Sequence, residues 1–165
     1  MASYYSSITD EQDELIRSAP LFFVATVGPD DPASHVGPIN LSPKGGVRLH
    51  IIDRNRVAYL DYAGSGDETA KHSAAGSPVT LMVCSFDGND AAIIRLYGAA
   101  RAVSFDASEL APIVLANGAL ELKAAPRQVI DIRVDKTATS CGYGVPVMSL
   151  ARERRTVDRG RRYKA

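Results

Sequence analysis

The residues best placed to do chemistry lie in one stretch, 47–72, which reads VRLHIIDRNRVAYLDYAGSGDETAKH. Its loop, residues 64–69 (GSGDET), sits between a strand-like run and a helix start. Free backbone N–H groups and a positive dipole end at such a helix start suit an anion. Ser65 and Thr69 could add hydroxyl donors to a phosphate. The same loop also reads as a glycine turn capped by Ser65 or Asp67, and the acids Asp67 and Glu68 repel an anion if they face it. It lacks the GK[ST] ending of a Walker loop. Lys44 stands in a glycine turn ahead of Arg48, within reach of an anion bound nearby, or else solvated. Arg48 and Arg56 fall on strand positions, where a guanidinium can grip carboxylate or phosphate, or face solvent as an ordinary surface arginine does.

Other candidates are fewer. His35, His50 and His72 show no metal or catalytic spacing, and HExxH, CxxC and Ser-His-Asp signatures are absent. The segment 140–146 (SCGYGVP) flanks Tyr143 with two glycines. These let the backbone turn sharply or approach a ligand closely, with Tyr143 either stacked on a flat ring or packed on its own turn. Cys141 beside Gly142 is reactive only if its thiol is acidified.

The elements that must position these residues are mostly short strands. Thr9, followed by Asp10, Glu11 and Asp13, opens a helix that Pro20 ends. Residues 21–27 (LFFVATV) form an apolar strand. Residues 35–41 give a strand whose internal proline marks an edge, bulge or end, and SPKGG is a turn. Strands over 47–52 and 56–62 flank a DRN turn, and a helix follows over 67–75. Residues 78–86 form a strongly apolar strand. The run 92–105 is a long strand, bent at its glycine. A helix over 107–117, a strand over 127–134, and a short strand over 147–150 complete the pattern. Short strands joined by turns predict a mainly β (α+β) fold, an antiparallel barrel with peripheral helices.

Bulk properties narrow the class. The chain has 165 residues, with 45% hydrophobic and 23% charged, as expected for one globular domain. Basic and acidic residues number 19 each, so charge gives no argument for nucleic acid or an anionic membrane as partner. No apolar run reaches the ~20 residues of a membrane span, and the N-terminus has no signal-peptide pattern. Two cysteines make neither a disulfide framework nor a zinc site, and a cytoplasmic location is the expectation. The barrel domain is expected over 1–150, with residues 1–20 as an N-terminal helix against it, and 151–165 as a basic tail.

Six strings in order give a resemblance: APLFFVAT at 19–26, NLSPKGG at 40–46, DRNRVAYLDYAGSGDETAKH at 53–72, VTLMVCSFDG at 79–88, IIRLYGAARAV at 93–103 and SCGYGVPVM at 140–148. With them the chain resembles the pyridoxamine 5′-phosphate oxidase-like superfamily of FMN-binding split barrels, in its uncharacterised branch. The resemblance implies a six-stranded split barrel, a homodimer, and FMN in a cleft between subunits. It implies flavin-dependent oxidoreduction of a small-molecule substrate, for which Tyr62 and Tyr143 are the candidate substrate-side contacts in this sequence. The phosphate-holding positions fall on Arg48, Tyr62, Ser65 and Thr69, with Lys44 and Tyr143 beside the site. Thr69 stands where the family carries a lysine, and Lys71 is two residues on, rotated by ~200° on a helix. Two alternatives follow: a deazaflavin-dependent reductase on the same fold, or a binding barrel that holds no cofactor. A motif for recognising pyridoxal phosphate itself is not evident.

Overall fold

The computed structural model describes residues 1–29, 38–63, 66–116 and 125–154. Its strands are β1 (Ser3–Tyr5), β2 (Leu21–Val27), β3 (Ile39–Gly45), β4 (His50–Asp53), β5 (Arg56–Tyr62), β6 (Pro78–Cys84), β7 (Ala92–Ser104) and β8 (Pro126–Cys141). Its helices are α1 (Asp10–Ser18), α2 (Glu68–Ala74) and α3 (Ala111–Ala116), with a 3-10 turn at Phe105–Ala107. The strands form one eight-stranded sheet ordered β3-β2-β6-β7-β8-β5-β4, with β1 added along β8. Every pairing is antiparallel. The sheet curls on itself, so that β3 and β4 end it and the barrel stays split.

Local chemistry explains the elements. Thr9 and Gln12 form a capping box: each side chain accepts the other's backbone N–H, at 3.3 and 3.2 Å. Acids fill the first turn of α1 and Arg17 the last, matching the helix dipole. Strand β2 alternates, with Phe22, Val24 and Thr26 buried between less buried neighbours. In β5 five consecutive residues are buried, because both faces are covered. Val57 and Tyr59 join the barrel core with Val24, Leu81, Ile94 and Leu96. Ala58 and Leu60 join a second cluster under α3, with Leu110 and Val114. Removing each such Leu or Ile side chain from water contributes about 1.5–3 kcal/mol.

The bend expected in the long strand falls at Gly98. Pairing with β8 slips between Tyr97 and Gly98. A Cβ at Gly98 would lie inside van der Waals contact of the Arg133 carbonyl oxygen and 2.9 Å from its carbon. Only glycine lets the two backbones meet there. Gly142 is likewise structural: a Cβ there would stand 2.7 Å from the Ala92 nitrogen.

Several elements differ from expectation. The sheet has eight strands rather than six, because β1 and the edge strands join one continuous ladder. SPKGG is not a turn: Ser42, Pro43 and Lys44 lie within β3, where an end strand tolerates proline with one side unpaired. Arg48 lies in the connection before β4 rather than on a strand. Strand β8 runs on through Cys141, paired with β7 along its length. Residues 147–150 form no strand. The first part of the strand expected from His35, and the tail at 155–165, lie outside the described residues.

Candidate functional site

The anticipated site residues divide between two places. The first is the barrel split, where the inward face of β3 presents Asn40, Ser42 and Lys44. Lys44 Nζ lies 3.8 Å from Asp61 Oδ1 on β5 and 5.8 Å over the Tyr59 ring. Asp61 Oδ2 accepts from Arg127 Nη2 at 2.6 Å and Gln128 Nε2 at 2.8 Å. Arg127 also reaches the Gly66 carbonyl at 3.5 Å. Thr69 turns inward, 7% exposed, with its hydroxyl accepting from Asn40 Nδ2 at 3.4 Å. Asn40 also reaches Thr26, whose hydroxyl lies 2.9 Å from His72 Nδ1. Helix α2, resting on β2, β6 and β7, therefore closes this end of the barrel through polar contacts.

The second place is a cavity of about 490 Å³ between the C-terminal end of α1, the β3–β4 connection, α3 and the C-terminal segment. Ile16, Arg17, Arg48, His50, Leu150 and Glu153 are in its lining. Arg48 forms no hydrogen bond or ion pair among the described residues. His50 is buried, and burial pushes its pKa below the ordinary value, with the charges of Arg48 and Arg17 acting the same way. The polar end of the cavity thus carries Arg48, the Asp13-paired Arg17 and the Glu153 carboxylate, and much of the remaining wall is aliphatic. Its size falls in the usual range of small-molecule sites.

The two places test the phosphate expectation. The start of α2 does not fit: Thr69 is spent inward, and Lys71 pairs with Asp67 at 2.9 Å. That pairing holds the Asp67 carboxyl below its ordinary pKa, and Glu68 adds a further acid at the start of the helix. The cavity offers one uncommitted guanidinium, Arg48, of the kind that can grip phosphate, with the Asp13-paired Arg17 and Glu153 in the same lining. Among the remaining candidates, Tyr62 packs against the cluster under α3, and burial raises its pKa. Tyr143 is 92% exposed and stacks on nothing among the described residues. Arg56 is held by Asp131 and Glu109. Ser65 lies outside the described residues.

Sequence reading did not single out Arg17, Tyr59, Asp61 or Arg127, and it named His50 without giving it a role. For His50 the signal was misleading: it stands two residues from Arg48, but Arg48 precedes β4, so strand alternation does not align the two. For Arg127 there was none, since its partner Asp61 is 66 residues away.

The antiparallel sheet that closes as a split barrel places the chain among small β-barrel proteins. Comparison with known proteins makes the class specific. Residues 8–141 match the family model for pyridoxamine 5′-phosphate oxidase. The chain is 34% identical over 153 residues to the pyridoxamine 5′-phosphate oxidase family protein ustO of Aspergillus flavus, covering 91% of this chain. It spans 58% of the length of that curated relative. The chain belongs to the pyridoxamine 5′-phosphate oxidase family. Solved structures agree on the fold. HupZ of Group A Streptococcus matches with a TM-score of 0.58 at 23% identity, over 79% of this chain and 91% of that one. An FMN-binding protein from Syntrophomonas wolfei matches with a TM-score of 0.56 at 13% identity, over 84% of each chain.

Proposed function

We propose that this protein is a flavin-dependent oxidoreductase that binds FMN, works as a homodimer and acts on a small-molecule substrate. The observation that carries the reading is uncommitted Arg48 in an aliphatic-walled cavity of a family member. An FMN-binding relative in fold supports the choice of flavin. Flavin, when bound, supplies the hydride chemistry. The chain's own residues bind and orient. Arg48 offers a planar fork to two phosphate oxygens, and Arg17 adds charge. Ile16, Val47 and Leu150 shield apolar surface from water. Neutral His50 can donate one hydrogen bond without adding charge.

The test is a visible spectrum of the purified protein, with titrations of FMN and riboflavin and a light-scattering mass. Flavin absorbance, or micromolar FMN binding tighter than riboflavin binding, with a two-chain mass, supports the reading. A colourless protein that takes up no FMN at micromolar concentration overturns it.

A further inference from the structure

An antiparallel sheet with one face on the core commonly presents polar side chains on the other. Strands β2 and β3 depart from this. Phe22, Val24 and Thr26 point into the barrel, so Phe23, Ala25 and Val27 point out. The outward residues of β3 lie opposite them: Ile39 beside Val27, Leu41 beside Ala25, and Pro43 beside Phe23. The patch continues onto β6, where Met82 lies opposite Phe23 and Thr80 opposite Ala25. Ile39 is 70% exposed, Leu41 65% and Val27 46%. None of these positions is charged. The outward charge next in register is Arg95 of β7, opposite Met82 and bonded to Ser140 at 3.0 Å. Helix α2 leaves the patch open, because it meets β2 and β3 through Thr26 and Asn40, which face the other way. Strand β3 also ends the sheet, with no strand paired along its other edge among the described residues.

Three strands about 4.8 Å apart, with outward residues every ~6.8 Å along each, make this uncharged face roughly 400 Å². A standard interface takes ~800 Å² from each partner, as an apolar, charge-depleted core inside a polar rim. The face has the size and composition of such a core, and Arg95 stands where the rim begins. We propose that a second copy of the chain docks here, the outward sides of β2, β3 and β6 meeting their counterparts across a two-fold axis. Charge and symmetry select this occupant. A patch with no charge at its centre is complementary to itself, and a two-fold sets apolar against apolar there without bringing like charges together. Each copy then covers the end strand of the other, which would otherwise stay open to aggregation. Strand β3 also leads directly into residues 46–49, which line the cavity of Arg48, so the interface adjoins the proposed cofactor site. The inference rests on the homodimer reading above and assigns the surface that makes it.

The test is mass against concentration, by light scattering, for the parent and the Leu41→Asp, Leu41→Ser and Tyr4→Asp proteins, with FMN titrated separately. Leu41 is exposed in the single chain, so its substitution should leave the fold in place, which circular dichroism checks. Leu41→Asp puts one charge per copy into the apolar centre and should weaken the dimer at least about thirtyfold. Leu41→Ser adds no charge, should weaken it about tenfold, and decides the matter if the aspartate variant misfolds. Tyr4, equally exposed at 65%, lies on β1, with β6, β7 and β8 between it and β2. Tyr4→Asp should therefore change the dimer by no more than about twofold. A parent of one-chain mass overturns the homodimer reading and this surface with it. A parent dimer that both Leu41 variants leave within about twofold overturns the surface alone, as does dissociation by Tyr4→Asp. A dimer that takes up no FMN but is split by Leu41→Asp upholds the surface while the flavin reading fails.

Discussion

Arg48→Ala separates the two places where a cofactor phosphate could be held. In the structure Arg48 makes no hydrogen bond or ion pair among the described residues, so none has to be broken to recruit its guanidinium. Beside it, Arg17 shares its charge with Asp13, and His50 is held neutral by burial. Most of the charge-assisted binding at the cavity therefore rests on one side chain. A hydrogen bond to a charged group contributes about 1.5–3 kcal/mol, equivalent to roughly 10- to 150-fold in Kd. Arg48→Ala should weaken FMN by that factor and leave riboflavin, which has no phosphate, unchanged. Arg56→Ala is the control: its guanidinium is already held by Asp131 and Glu109, and FMN affinity should not move. Thr69→Lys should not tighten FMN, because position 69 points into the barrel split beside Tyr59, not toward solvent. Fluorescence quenching titrations of the four proteins with both flavins measure all of this. The reasoning is refuted if Arg48→Ala binds FMN within about twofold of the parent, or if Thr69→Lys tightens FMN about tenfold.

Two further outcomes rest on the fold alone. Gly98→Ala should destabilise by at least about 1–3 kcal/mol in urea titration, since its Cβ must displace the Arg133 backbone rather than a mobile side chain. The pH dependence of stability carries a His50 signature. Its folded pKa lies below the ordinary 6.5, mainly through burial and then through Arg48 and Arg17. Below pH 6.5 the unfolded chain takes up a proton that the native site resists, so stability should fall as pH drops from 6.5, and His50→Gln should flatten that slope. Asp131, held below its ordinary 3.8 mainly by the Arg56 hydrogen bond, loses its contribution only as pH falls under 3.8, so the two windows separate.

What the sequence determined by itself is what depends on near neighbours along the chain. The capping box of α1 needs only Thr9 and Gln12, three residues apart. The strand-like run at 56–62 sets the bounds of β5, and the lone glycine of the long strand marks its bulge. Loop cues misled where a neighbouring strand supplied the missing pairing: Ser42 and Lys44, turn-like in isolation, are held in β3 by Val24 and Phe22 of β2. The site shows the same limit. The string GSGDET has the residues of an anion loop, yet whether Thr69 faces outward depends on what α2 rests against. Packing on β2, β6 and β7 turns Thr69 into the barrel and leaves Lys71 outside with Asp67. Tertiary structure alone joined Asp61 to Arg127, and brought Arg17 from α1 to the cavity holding Arg48 and His50. The physical reason is that strand and helix signals act through backbone geometry over a few residues. A charged site is instead set by distances through space, and barrel closure fixes those only once distant strands have paired.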